Sequence, residues 1–149
     1  MDELPVRVKI LRPEARLPFY ASAGAAGADL SACLPEAAVL EPGERISVPT
    51  GLALETSESG YAALIFARSG PAAARGLALT NGVGVVDEDY RGEICLLLVN
   101  LGQETIILSP GERLAQVVFV PVRRGLFRVE EDLGVTERGN GGFGSTGRL

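Results

Sequence analysis

Five short segments of this chain place Gly, Asp, Arg and Ser where an otherwise aliphatic sequence would use apolar residues. In Ala26-Gly27-Ala28-Asp29-Leu30 a lone carboxylate sits among small residues. Asp29 either serves a turn or holds an ordered water on a hard cation such as Mg²⁺, which keeps much of its hydration shell. Arg68-Ser69-Gly70-Pro71 combines a guanidinium fork, a hydroxyl and a residue that lets the backbone approach a ligand, the make-up of an anion-binding corner. From Asn81 to Glu93 apolar residues lead into Asp87-Glu88-Asp89, then Tyr90 and Gly92. That run is either a solvated turn or a hairpin presenting a general base at Asp87 and a stacking platform at Tyr90. Gln116 interrupts the apolar run from Leu114 to Val122 and needs backbone, water or ligand as a partner. The stretch from Arg138 to Gly147 offers an Arg, many open backbone N–H groups and the hydroxyls of Ser145 and Thr146. These are ingredients of a phosphate cradle, although composition alone also permits a disordered end. It lacks the Gly-Lys-Ser/Thr ending of a Walker loop, so that reading fails.

Composition limits the chemistry further. There is no His, so acid–base work falls to carboxylates, and Ser-His or His-rich zinc sites are excluded. The net charge is −5, with one Lys beside thirteen Arg, which argues against a nucleic-acid partner. Arg without Lys suits bidentate capture of phosphate. Cys33 and Cys95 have neither metal-ligand spacing nor a disulfide framework, and are expected as two buried apolar thiols in a reducing cytoplasm. No run approaches the ~20 apolar residues that span a bilayer, and the acidic start, Met1 to Pro5, is not a signal peptide.

These groups need a scaffold. At 149 residues, with nineteen Gly and nine Pro, the chain suits one all-β domain of short strands and tight turns. Strands are predicted at Val6 to Leu11, Ala38 to Leu40, Arg45 to Pro49, Gly51 to Glu55 and Tyr61 to Phe66. Further strands are predicted at Glu93 to Asn100, Thr105 to Leu108 and Leu114 to Val122. Ala21 to Ala28 reads as loop and extended chain. Only Pro71 to Arg75 looks helical, with Pro at the first position.

Taken in order from about Leu17 to Gly147, the five segments resemble the motifs of the trimeric deoxyuridine triphosphatase (dUTPase) family. Arg68-Ser69-Gly70, the run from Asp87 to Glu93, and Arg138 to Gly147 are the specific parts. The resemblance implies a distorted jelly-roll β-barrel in a homotrimer. Residues 1–130 would form the catalytic core, and residues 131–149 a flexible Gly-rich arm closing over a neighbouring subunit's site. Each site would take the first, second and fourth segments from one subunit, the third from another and the arm from the last.

The implied reaction is Mg²⁺-assisted hydrolysis of dUTP to dUMP and pyrophosphate in the cytoplasm, limiting uracil in DNA and supplying dUMP for thymidylate synthesis. Asp87 would orient water for attack on the α-phosphorus, and Asp29 would hold Mg²⁺ through water. Arg68, Ser69, Gly70 and Gln116 would bind the α- and β-phosphates. Arg138, Gly144, Ser145 and Thr146 would clamp the γ-phosphate end. Asn81, Gly84 and Val86 would shape the uracil pocket, Tyr90 would pack on the deoxyribose, and Phe143 would cover the ring. Pro71 stands where the family commonly has Leu, and Ala28 where it has Tyr. A dCTP deaminase is the nearest rival, but Pro71 to Leu79 contains no acidic residue to serve it. A nucleotide-sensing module is the rival outside catalysis.

Overall fold

Eleven short strands and one helix account for the regular structure of the described chain, residues 3–142 of a computed structural model. In order they are β1 (Val6–Ile10), β2 (Ala28–Ser31), β3 (Ala38–Leu40), β4 (Arg45–Pro49), β5 (Leu52–Thr56), β6 (Tyr61–Ala67), α1 (Ser69–Arg75), β7 (Leu77–Leu79), β8 (Gly84–Val86), β9 (Cys95–Asn100), β10 (Ile106–Leu108) and β11 (Arg113–Pro121). All pairings are antiparallel. They make a four-stranded sheet β2-β11-β6-β8, a three-stranded sheet β4-β9-β7 and two ribbons, β1-β5 and β3-β10. The result is the expected jelly-roll barrel.

The period-2 alternation of strands builds the core. Along β9, Leu96, Leu98 and Asn100 are buried while Cys95 and Leu97 face outward. With Leu30, Leu40, Val48, Leu77, Leu108, Leu114 and Val117 the inward residues form one aliphatic cluster. Burying each such Leu or Val contributes about 1.5–3 kcal/mol. Asn100, fully buried, is satisfied on every side. Its Nδ2 donates to the carbonyls of Leu40 (2.9 Å) and Glu104 (2.8 Å), and its Oδ1 accepts from Gly102 N–H (2.9 Å).

Several sequence expectations need correction. Asp29 is no turn residue: it lies within β2 and is buried. The helix begins at Ser69, so Pro71 is its third residue. Its missing N–H still falls in the first turn, where no intrahelical acceptor exists. Leu77–Leu79 forms a strand that the periodicity did not announce, because three residues are too few to show a period. The segment around Asn81 is not a closed hairpin. β7 pairs only with β9 and β8 only with β6, so the turn passes from one sheet to another. Cys33 is buried as expected, but Cys95 is exposed on the outer face of β9. Beyond β11 the chain to Gly142 forms neither strand nor helix. No helix among the described residues is long and apolar enough to cross a membrane.

Candidate active site

At one end of the four-stranded sheet the first, second and fourth segments meet. β11 pairs with β2 on one side, placing Gln116 opposite Asp29, and with β6 on the other, placing Ala115 opposite Ala67. Arg68 follows directly. Its Nε lies 2.7 Å from Asp29 Oδ1, and its Nη1 donates to the carbonyl of Arg113 at 3.1 Å. Arg113 Nη1 holds the other carboxylate oxygen of Asp29 at 2.9 Å. The register of β11 shifts between Arg113 and Ala115, a bulge at Leu114. Such a bulge re-aims the side chains beside it: Leu114 and Ala115 both turn inward, and Arg113 reaches Asp29.

Gln116 finds a backbone partner. Its Nε2 donates to the carbonyl of Ala67 at 3.0 Å, while its carboxamide oxygen packs over Gly27. A Cβ at residue 27 would overlap that oxygen, which explains the glycine beside Asp29. Next to this cluster is a cavity of about 590 Å³ lined by Arg16, Ser31, Arg68, Pro71, Glu112 and Arg113 among others. Ser69 and Gly70 are exposed in the first turn of α1. Three guanidiniums facing one open cavity can bind a polyanion.

The third segment builds a separate cavity of about 290 Å³, lined by Ile65, Leu79, Asn81, Gly84, Val86, Asp87, Tyr90 and Glu93 among others. β8 brings Gly84 opposite Ile65, close enough that a side chain at residue 84 would press on it. Asp87 follows β8 at the mouth, exposed, and no group among the described residues bonds its carboxylate. Tyr90 Oη donates to the carbonyl of Glu93 at 3.1 Å. The two cavities share no lining residue.

Sequence reasoning gave no role to Arg16, Arg113 or Arg12, and placed Glu93 only as the end of the run from Asp87. Arg113 and Arg16 carried no signal, since exposed Arg on strands or loops is ordinary. Arg12 and Glu93 form a fork, with Arg12 Nε to Oε1 at 2.8 Å and Nη2 to Oε2 at 3.1 Å, linking residues distant in sequence. The hydrogen bond from Arg12 holds the Glu93 carboxyl below its ordinary range, aided by the N–H of Gly51 and opposed by desolvation. Burial pushes the Cys33 thiol up, and partial desolvation with the nearby Glu93 charge raises that of the exposed Cys95, so neither is an activated nucleophile. Arg138 lies in an exposed turn, its Nε donating to the carbonyl of Gly141 at 2.9 Å. Phe143, Gly144, Ser145 and Thr146 lie outside the described residues.

The structure is thus a β-barrel with a guanidinium cluster at one cavity and an open carboxylate at another. The dUTPase family profile matches residues 13–147, and the chain belongs to that family. A deoxyuridine 5'-triphosphate nucleotidohydrolase of Desulfitobacterium hafniense is 48% identical over 149 residues, 99% of each chain. A solved dUTPase of Staphylococcus bacteriophage 80alpha, described with dUPNHPP, is 29% identical and superposes with a TM-score of 0.86, covering 97% of this chain and 99% of its own. A dUTPase from phage phi11 of S. aureus, described as revealing coordination of a structural Mg(II) ion, shares the fold at 24% identity. Its TM-score is 0.78, over 88% of this chain and 99% of its own.

Proposed function

We propose that this chain hydrolyses dUTP to dUMP and pyrophosphate in the cytoplasm, limiting uracil incorporation into DNA and supplying dUMP for thymidylate synthesis. The contrast between two aspartates carries the reading. Asp29 is neutralised by Arg68 and Arg113, whereas Asp87 stands open at the mouth of a small, largely apolar cavity. An open carboxylate can accept a hydrogen bond from a water and aim it, whereas both oxygens of Asp29 are already taken by guanidiniums.

In this mechanism uracil enters between β6 and the turn at Asn81, with Gly84 and Val86 forming the wall and backbone groups reading the base. Tyr90 packs on the deoxyribose, where a 2′-hydroxyl would clash. Asp87 orients a water for in-line attack on the α-phosphorus and accepts its proton. Arg68, Ser69, Gly70 and Gln116 hold the α- and β-phosphates, so negative charge growing on the leaving pyrophosphate meets fixed positive charge. Arg138, Phe143, Gly144, Ser145 and Thr146 close over the nucleotide as the arm folds down.

The residues fit Mg²⁺ only in one way. The described residues contain no cluster of three acidic or sulfur ligands, and both Asp29 oxygens face guanidiniums. Asp29 would therefore hold the ion only through an intervening water, not as a direct ligand. When bound, the ion supplies charge neutralisation along the triphosphate.

The separation of the two cavities supports a site shared within a homotrimer, Asp87 of one subunit serving the arginines of another. So does the chain beyond β11, where Leu126, Phe127, Val129, Leu133 and Val135 are almost fully exposed in a single subunit. Residues 131–149 are the proposed arm. The test is product analysis with Mg²⁺ and dUTP, dCTP, dTTP or UTP offered separately. Monophosphate and pyrophosphate from dUTP alone are expected. Deamination of dCTP would transfer the reading to the rival enzyme, and binding without turnover to the sensing module.

A further inference from the structure

The loop from Asp87 to Glu93 is held from behind by side chains that nothing above assigns to the reaction. Glu88 Oε2 accepts the N–H of Gly60 at 2.6 Å, and Arg91 Nη2 reaches Glu55 at 2.8 Å. Glu93 receives the Arg12 fork and, at 2.9 Å, the N–H of Gly51. The tethers land on β5 and on the chain flanking the β1–β5 ribbon: Arg12 follows β1, Gly51 precedes β5, Glu55 lies in β5 and Gly60 ends the β5–β6 turn. Arg7 of β1 also binds Glu55, at 2.6 Å, so the ribbon is itself cross-tied.

The chain of contacts continues into the pocket. Glu93 lies outside any strand, since β9 begins at Cys95. Its position is fixed by Arg12 and Gly51 on one side and by its carbonyl's bond to Tyr90 Oη on the other. The Tyr90 ring rests on Gly92, where a side chain would overlap ring atoms. A tyrosine excludes a hydroxyl only as firmly as the tyrosine is itself held, because a wall that can recede discriminates poorly.

We propose that the β1–β5 ribbon is a positioning device for sugar selection, in which Arg12, through Glu93, fixes Tyr90 against the deoxyribose, with Glu55 and Arg91 steadying the same loop. This rests on the proposed hydrolysis of dUTP. Arg12 and Glu93 are positioning residues: they act through Tyr90 and touch no reacting atom.

The experiment is steady-state hydrolysis of dUTP and UTP by the full-length protein and its Arg12→Ala, Arg12→Lys and Glu93→Gln variants. Backbone hydrogen exchange across residues 87–93 and melting temperature are measured alongside. Arg12→Ala is expected to lower the dUTP-over-UTP ratio of kcat/KM about tenfold, largely by improving UTP. Exchange in the loop should accelerate, and Arg12→Lys, which keeps the charge but not the fork, should recover part of the ratio. A purely structural tie would lower the melting temperature and both rates together with the ratio unchanged, and that result overturns the proposal. Arg12 is half-exposed and outside the core; if the alanine variant fails to fold, the lysine variant's ratio and loop exchange decide the same question. A wild-type protein that leaves dUTP untouched would instead overturn the functional reading beneath it.

Discussion

Arg68 and Asp29 are held 2.7 Å apart, Nε to Oδ1, with Asp29 almost wholly buried and its second oxygen on Arg113 at 2.9 Å. Nη1 of Arg68 is occupied by the Arg113 carbonyl. The guanidinium is thereby fixed at two points before any ligand arrives, and Asp29 acts first as the part that aims it.

Asp29→Asn should therefore impair binding as well as stability. Losing a charge-assisted acceptor costs about 1–3 kcal/mol, read as a lower urea midpoint. The KM for dUTP should rise about tenfold or more as Arg68 loses its fixed direction. An unchanged KM in a destabilised protein would mean that Arg68 does not depend on Asp29 for its aim.

Asp87→Asn should lower kcat by about 10²–10⁴-fold while nucleotide binding persists. Mixed with Arg68→Ala subunits and reassembled, it tests the shared site. Random trimers restore roughly a quarter of the sites if Asp87 and Arg68 come from different subunits. No recovery in mixed trimers would place both residues of a site on one chain.

Gly27→Ala introduces a methyl where the Gln116 carboxamide lies. Gln116 must swing away from the Ala67 carbonyl, its partner at 3.0 Å. Overpacking of this kind costs about 1–3 kcal/mol, and kcat/KM should fall with it. A variant with wild-type melting temperature and turnover would show that Gln116 is not held there.

Glu93 ties stability to pH. Its carboxyl titrates below the ordinary value of 4.5 because Arg12 donates to it, so the folded state favours the ionised form. The stabilisation is fully present above that ordinary value and fades as pH falls through the lower folded one. Melting temperatures of wild type and Glu93→Gln should differ near neutrality and converge as pH falls through the lowered folded-state value of Glu93. A gap that stays constant with acidification would assign Glu93 an uncharged role.

What the chain alone determined was chemistry by type. The absence of His threw the acid–base role onto carboxylates, and the sequences around Arg68, Asp87 and Arg138 were legible because they break an aliphatic pattern. Most strands were legible too, since alternation is a local property. The hairpin expected at Asn81, the strand Leu77–Leu79 and the exposure of Cys95 were not, because each depends on which distant strand supplies the partner. The same holds for the two aspartates, which look alike in sequence. Asp29 meets Arg113, 84 residues away, only because β2 and β11 pair in one register and a bulge turns Arg113 toward it. Register is fixed by long-range hydrogen bonding and by which face is buried. Tertiary structure alone therefore decided which carboxylate is paired with arginine and which is left open.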